Sequence, residues 1–231
     1  MSTDIGQNYL DVKARVENAC MRCGRKQSEV TLVTVTKFVE IERIEEALKA
    51  GVTDVGENRV QDLKDKLTFF ELHGLNTHLI GQLQTNKVKY VCNQVGLIQS
   101  VDRIELVEKL GAIAERNGKS QDILLQVNIG DEPQKGGVPV SEIETLACRA
   151  MESGRLSVRG LMCVPPAVEG ELVRPYFQRM YALYGDLKSR HPDWRIDTLS
   201  MGMSHDFELA IEEGATMVRV GTAIFGPRSR H

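Results

Sequence analysis

TLVTVTK, residues 31–37, is the stretch that decides the fold. Its apolar and β-branched residues predict a buried strand, and its last residue, Lys37, puts an amine where that strand ends. Similar short runs recur at 52–55, 77–80, 97–99, 123–127, 156–162, 197–200 and 217–220. Helical segments are expected between them, near 40–50, 58–71, 84–92, 103–117, 140–152, 171–190 and 205–213.

Strands that alternate with helices and are mostly continuous in hydrophobicity predict a parallel sheet buried on both faces. The alternative is a doubly wound open sheet, but the G-x-G-x-x-G loop that binds phosphate after the first strand of many such folds is absent. The sequence therefore predicts an α/β fold, a single (β/α)8 TIM-type barrel over residues 1–231. An additional N-terminal helix is expected over 4–24, where apolar residues recur at helical spacing: Ile5, Tyr9, Val12, Val16 and Ala19.

Composition and charge indicate which binding partners and which cellular compartment to expect. The chain has 29 basic and 32 acidic residues and a net charge of −3, which gives no reason to expect nucleic acid or a membrane as partner. No apolar stretch approaches the ~20 residues that span a bilayer, and the N-terminus lacks the features of a signal peptide. Five cysteines fit a reducing compartment, so a cytoplasmic protein is expected. The pair Cys20 and Cys23 is interpreted as packing at a helix end, not as a metal or redox site.

Lys37 and Arg219 are the two candidate residues for covalent or ionic chemistry. Barrel active sites lie at the carboxyl ends of strands, where desolvation favours the neutral amine that forms an imine. The alternative for Lys37 is a lysine that extends from a strand end into water. Arg219 precedes Gly221 by two residues on the last strand, so both face the same side. A guanidinium there needs a ligand or, alternatively, a carboxylate on a neighbouring strand.

Two segments could hold an anion. Gly221 and Thr222 begin a loop whose backbone N–H groups could cradle a phosphate. SMGMS, residues 200–204, precedes a helix and offers two hydroxyls and a glycine. Asp206 and Glu208 in the first turn of that helix would compete with an anion. The alternative for Ser204 is therefore a helix N-cap, with Ser200 and the Gly221 loop as the phosphate contacts.

Three further residues are candidates with alternatives of equal or greater weight. Asn58 in the GEN stretch could bind a ring substituent with its amide, or could cap the following helix. His78 lies within the third strand, where a lone histidine is more often a core residue. Met162 is interpreted as packing, with contact to a ligand ring as the other possibility.

A set of motifs, in order over residues 5–228, resembles the pyridoxal phosphate homeostasis proteins, small relatives of the alanine racemase barrel. The motifs are TVTK, GEN, HLIGQLQTNK, VDR, QVNIGDE-x-x-K-x-G, RGLMCVPP, LSMGMS-x-D and RVGTAIFG. The resemblance implies that pyridoxal 5′-phosphate (PLP) forms a Schiff base with Lys37 and that Arg219 faces the pyridine nitrogen. It places Asn58 beside the cofactor, with His78 and Met162 as further candidates. The residues that match the phosphate-holding segments are Ser200, Gly202, Met203, Ser204, Gly221 and Thr222.

The resemblance implies a PLP carrier or regulator acting in vitamin B6 homeostasis, with indirect effects on amino-acid metabolism, and not a robust enzyme. A guanidinium disfavours a protonated ring nitrogen, which weakens carbanion chemistry. Racemases of this barrel have a second domain and a catalytic tyrosine, whereas here only residues 227–231 follow Gly226. No catalytic residue and no metal is therefore assigned, and a monomer is expected, with PLP and apo PLP-dependent enzymes as partners. The alternatives are a weak racemase-like enzyme and a barrel enzyme that uses no PLP.

The sequence departs from the family pattern at Phe38-Val39, at Arg59, where a tyrosine is frequent, and at Gly130, where a serine is frequent. Phe38-Val39 and Gly130 could alter loop shape. The loops at 128–139 and 163–170 follow strands five and six, where active-site loops or a lid belong.

Overall fold

The computed structural model describes residues 4–227, which form a closed barrel of eight parallel strands in sequential order. The predicted (β/α)8 barrel is confirmed. The strands are β1 Thr31–Val35, β2 Asp54–Glu57, β3 Asn76–Leu79, β4 Leu97–Val101, β5 Gln121–Val127, β6 Leu156–Cys163, β7 Thr198–Ser200 and β8 Met217–Val220. No helix among residues 4–227 is long and apolar enough to cross a membrane.

Helices follow most strands and cover the outside of the barrel. They are α1 Ile5–Arg22, α2 Ile41–Lys49, α3 Val60–Leu72, α4 Ile104–Asn117, α5 Ile143–Glu152, α6 Arg174–Arg190, α7 Phe207–Glu212 and α8 Thr222–Phe225. The α-helix predicted near 84–92 is instead a 3₁₀ helix, Thr85–Tyr90, with one buried residue, Val88. Because so narrow an apolar face cannot hold several α-helical turns against the barrel, this connection stays short.

The predicted N-terminal helix α1 takes the place that the eighth barrel helix leaves open. Helix α8 has only four residues, and α1, with 18 residues, packs against α2, α7 and α8. The ion pairs Arg15–Glu208 (2.9 Å) and Arg22–Glu212 (2.8 Å) join its polar side to α7. The side of α1 toward the barrel carries the predicted apolar stripe, extended by Cys20: Ile5, Tyr9, Val12, Val16, Ala19 and Cys20 are buried.

The barrel interior has an apolar cluster of its own, separate from the core between strands and helices. It consists of Val33, Leu97, Leu124, Met162 and Met217. Met162 is 1% exposed, so its predicted packing role is confirmed, and contact with a ligand ring stays a prediction.

Strand β2 begins two residues later than predicted, at Asp54 instead of Val52. Gly51, with φ +95°, ends the preceding turn, and the pairing of β2 with β3 starts at Asp54 and Asn76. The shift places Glu57 inside the strand, where its side chain is fully buried.

Candidate functional site

Lys37 lies at the carboxyl-end mouth of the barrel, two residues beyond the end of β1. Its side chain is half-buried, and the next residue, Phe38, has a left-handed backbone with φ +58°. Strand β1 pairs with β8 so that Val33 lies opposite Arg219. The neighbouring strand ends therefore bring Lys37, Arg219 and Gly221 to the same end of the barrel, as the sequence predicted.

A buried ion pair lies behind Lys37. Lys66 Nζ donates to Glu57 Oε1 and to the backbone oxygen of Thr36, both at 2.8 Å. The Thr36 hydroxyl donates to the same carboxylate oxygen at 2.7 Å. We call this arrangement the Lys66–Glu57 pair. Because Lys66 donates to the backbone oxygen of the residue before Lys37, the pair stabilises the turn that carries Lys37.

Arg219 is buried, with 4% of its surface exposed. Its Nη1 donates to the Ser200 hydroxyl at 2.6 Å, and its Nη2 donates to the Cys163 backbone oxygen at 2.8 Å. Burial lowers the pKa of Arg219 from its usual value, an effect that the charge of Asp206 opposes. Among residues 4–227, no carboxylate forms an ion pair with this guanidinium within 4.0 Å. The predicted alternative, a carboxylate partner on a neighbouring strand, is therefore wrong at the level of direct contact.

Ser200 continues from Arg219 into a chain of side chains across the barrel interior. Its hydroxyl donates to Gln99 Oε1 at 2.7 Å, and Gln99 Nε2 lies 3.1 Å from His78 Nδ1. His78 Nε2 lies 3.2 Å from Asp54 Oδ1. We call Arg219, Ser200, Gln99, His78 and Asp54 the interior relay.

Both ring nitrogens of His78 thus have protein partners, as the predicted core alternative required. Contact of its ring with a cofactor stays a prediction. Ser200 lies beside Arg219, and its predicted contact with the phosphate is likewise untested.

Backbone N–H groups at the start of α8 converge on one point. Gly221 N and Ala223 N both donate to the Ser204 hydroxyl oxygen, each at 3.3 Å. The expected loop at Gly221 and Thr222 is in fact the N-cap and first residue of this short helix. The Ser204 oxygen occupies the position that an anion oxygen would take between the two donors.

The stretch before α7 differs from the sequence expectation in its capping. Asp206, not Ser204, is the N-cap residue of α7, and its Oδ1 accepts from Met203 N at 2.6 Å. Burial raises the pKa of Asp206 in spite of the Met203 hydrogen bond and the nearby Arg219 charge. Asp206 therefore occupies the Met203 N–H, and its competition with an anion stays a prediction, whereas Glu208 is paired with Arg15.

Gly202 in the same stretch has φ +92°, a backbone that L side chains rarely adopt. A Cβ there would lie 2.6 Å from Ala210 Cβ and 2.9 Å from Phe207 Cα. Glycine is therefore required for the close packing of this turn on α7.

Asn58 follows β2 at the mouth but does not cap α3, whose N-cap residue is Arg59. A Cβ at Gly81 would lie 2.1 Å from the Asn58 backbone oxygen, so these two turns touch. Asn58 helps to line a cavity of about 320 Å³ beside the mouth, together with basic side chains that include Lys64 and Lys87.

The two predicted active-site loops contact each other. Lys135 Nζ donates to the Pro165 backbone oxygen at 3.0 Å. At Gly130, where serine is frequent in the family pattern, a Cβ would lie 2.5 Å from Pro166 Cγ. The departure at Gly130 therefore allows the close approach of the second loop.

Sequence reasoning missed five residues that shape this site: Thr36, Asp54, Glu57, Lys66 and Gln99. A signal existed for one of them, because Lys66 shares a helical stripe with the buried Leu63 and Phe70. A lysine in an apolar stripe indicates a buried ion pair. The other four carry no signal without the strand register.

Comparisons with known proteins agree with this architecture. A profile described as the alanine racemase N-terminal domain matches residues 11–229. Proteins named pyridoxal phosphate homeostasis protein are similar, from Aquifex aeolicus (44% identical, covering 94% of this chain and 95% of that protein) and Escherichia coli (40%, 97% and 97%).

A solved structure of PipY from Synechococcus elongatus, with PLP bound, is 34% identical and has a TM-score of 0.80, covering 93% of this chain and 100% of that one. The profile match covers nearly the whole chain, and the two curated relatives are at least 40% identical to it over more than nine-tenths of its length. The chain belongs to the pyridoxal phosphate homeostasis protein family.

Proposed function

We propose that this protein binds PLP as a Schiff base on Lys37 and acts in intracellular PLP homeostasis. One observation carries the proposal: Lys37, the Arg219 guanidinium and the converging N–H groups of Gly221 and Ala223 lie at one end of the barrel. An amine, a buried cation and paired backbone donors suit an aldehyde that carries a phosphate. The PLP-bound PipY structure supports the same ligand.

The residues of the site would have separate tasks. PLP would supply an aldehyde, and Lys37 would supply the amine that condenses with it, with loss of one water. The Lys66–Glu57 pair holds the backbone that presents this amine. Gly221 and Ala223 N–H groups would turn from the Ser204 oxygen to a phosphate oxygen, with Gly202, Met203 and Thr222 shaping the cradle. Asn58 would bind at the side of the ring.

Arg219 favours a carrier over a carbanion enzyme. A guanidinium only donates hydrogen bonds and stays charged, so it disfavours a proton on the ring nitrogen that it faces. Without that proton the ring is a weaker electron sink. We therefore propose no catalytic residue and no robust enzymatic activity. We also propose a single-domain cytoplasmic monomer over residues 1–231, of which 1–3 and 228–231 lie outside the described residues, with apo PLP-dependent enzymes as recipients.

A weak racemase-like activity is the second candidate, and the match to the alanine racemase N-terminal domain favours it. The two candidates differ in turnover. Racemisation of alanine at ~1 s⁻¹ or above would contradict the carrier function, whereas PLP release to an apo-enzyme without racemisation supports it.

Covalent attachment is tested by borohydride reduction of the PLP-loaded protein and mass spectrometry of its peptides. We expect a single PLP adduct on Lys37. Lys37→Ala should abolish it, and Lys64→Ala, which removes a basic side chain beside the mouth, should retain it. An adduct of equal occupancy in the Lys37→Ala protein would disprove the assignment.

A further inference from the structure

We infer that Asp54, His78, Gln99 and Ser200 are positioning residues that hold the Arg219 guanidinium against the cofactor ring through one directional hydrogen-bond chain. The inference rests on the proposed function, since it concerns how the ring-facing cation is oriented. It also extends the site from the mouth of the barrel, at the carboxyl ends of the strands, to Asp54 at the amino end of β2.

The interior relay is a continuous series of hydrogen bonds across the barrel. Its successive contacts measure 2.6, 2.7, 3.1 and 3.2 Å from Arg219 through Ser200, Gln99 and His78 to Asp54. Four strands beyond β8 contribute to it, because Ser200 ends β7, Gln99 lies on β4, His78 on β3 and Asp54 begins β2. Ser200 and Gln99 are fully buried, and the His78 side chain is 7% exposed.

Each donor in the chain is fixed by its neighbour. Arg219 only donates, so the Ser200 oxygen accepts from it and the Ser200 proton goes to Gln99 Oε1. The Gln99 amide nitrogen then donates to His78 Nδ1, with Met217 Sδ as its second acceptor at 3.1 Å. His78 must therefore carry its proton on Nε2 and donate it to Asp54.

The opposite direction is disfavoured by hydrogen bonding. If the Gln99 amide were reversed, its NH2 group would face the Ser200 hydroxyl, whose oxygen already accepts from Arg219, and the Ser200 proton would lose its acceptor. The amide oxygen would also face Met217 Sδ, which cannot donate to it. The direction shown needs one ring proton on His78, at Nε2, and gives every member of the relay a partner. All donors then point from the cation at the mouth toward the Asp54 carboxylate, so the dipoles of the chain add.

Asp54 is the carboxylate that balances the Arg219 charge, and three side chains separate it from the guanidinium. Its side chain is 15% exposed, so it retains contact with water, while Arg219 keeps its charge directed at the mouth. Burial alone would raise the pKa of Asp54, but hydrogen bonds from His78 and Thr53 outweigh it and hold the pKa below its usual value. An anion at the far end stabilises the chain without neutralising Arg219 by direct contact.

The test compares Ser200→Ala and His78→Leu with Ser100→Ala, a control at a fully buried serine whose hydroxyl has no hydrogen-bond partner. PLP affinity and the pH titration of its absorbance are measured for each protein. We expect affinity about threefold to tenfold weaker and a shifted absorbance titration in Ser200→Ala and His78→Leu. Ser100→Ala should match the unmodified protein, and the reduced adduct should stay on Lys37 in all of them.

A second measurement needs no PLP and is done on the unmodified chain. Nitrogen-15 NMR of the ring of His78 should show a protonated Nε2 and an unprotonated Nδ1. Asp54→Asn, which keeps an acceptor oxygen but removes the charge, should retain this tautomer. A protonated Nδ1 would overturn the chain direction, whatever the ligand.

The two proposals fail separately. If the reduced adduct is on Lys37 but the absorbance titration of Ser200→Ala and His78→Leu equals that of the control, the positioning role is wrong and PLP binding stands. If the unmodified protein forms no Lys37 adduct, the proposed function is wrong, and the positioning role toward the ring falls with it.

Discussion

Two buried cations lie near the mouth of this barrel, and they reach a carboxylate in different ways. Lys66 contacts Glu57 directly at 2.8 Å, with the Thr36 backbone oxygen as a second acceptor. Arg219 reaches Asp54 only through Ser200, Gln99 and His78, whereas its own direct acceptors are a hydroxyl and a carbonyl. The Glu57 carboxylate neutralises the Lys66 charge by direct contact. The Arg219 charge has only neutral direct partners and remains at the mouth of the barrel.

The difference separates a structural role from a ligand-binding role. A direct buried pair fixes geometry, but the partner cancels the field that a ligand would feel. A cation held by neutral groups keeps its field, and the hydrogen bonds determine where it points. The residue type agrees with this division, because Arg offers a planar, permanently charged group and Lys a compact one.

The largest expected effect comes from breaking the Lys66–Glu57 pair. Lys66→Met leaves the Glu57 carboxylate buried without its cation, so the free energy of unfolding should fall by about 3–5 kcal/mol. Urea denaturation followed by circular dichroism measures this loss. The control is the double variant Glu57→Gln, Lys66→Met, which removes both charges and should recover most of the stability. A double variant as unstable as the single one would show that the charge imbalance is not the cause.

Breaking the interior relay should cost less, since no charge loses a direct partner. Gln99→Leu leaves the Ser200 hydroxyl and His78 Nδ1 without their bonds, for a loss of about 1–3 kcal/mol. Ser100→Ala on the same strand removes a hydroxyl without a partner and should leave the free energy of unfolding nearly unchanged. If the two variants are equally stable in urea, the relay contributes nothing to folding.

The fold could be predicted from the sequence, but the side-chain contacts of the Lys66–Glu57 pair and of the interior relay could not. Apolar periodicity is a local property, so it identified the strand at 31–36 and the buried stripe of α1. The Lys66–Glu57 pair depends on the end of β2, which is two residues beyond the predicted end at 55. A hydrogen bond between Ser200 and Gln99 depends on closure of the barrel, which no local pattern encodes. Lys37 and Arg219 were found because strand ends meet at one mouth in any such barrel.

A smaller effect concerns Asp206, which we expect to compete with the PLP phosphate because its Oδ1 already accepts from Met203 N. Its pKa is raised by burial above the usual 3.8, so the folded state binds more protons just above that pH, and stability falls as pH rises through this window. Asp206→Asn cannot ionise but keeps an oxygen for Met203 N–H. We expect its pH-stability curve to lack this fall. PLP affinity at neutral pH should rise about threefold to tenfold, measured by absorbance titration. Unchanged affinity would mean that Asp206 does not face the phosphate.

The smallest effect tests the rim of the mouth, where two departures from the family pattern meet. The Arg59 guanidinium lies 4.9 Å from the centre of the Phe38 ring, and Phe38 is 54% exposed. A cation–π contact at such an exposed site contributes about 0.5–1 kcal/mol. A double-mutant cycle with Phe38→Leu and Arg59→Gln should measure a coupling of this size in urea denaturation.

Because Phe38 directly follows Lys37, PLP affinity should be measured in the same variants. If the contact only closes the rim, stability and affinity change together in both single variants. If it steers the Lys37 turn, Phe38→Leu changes affinity more than Arg59→Gln does, and the rim then acts with the Lys66–Glu57 pair on the same backbone.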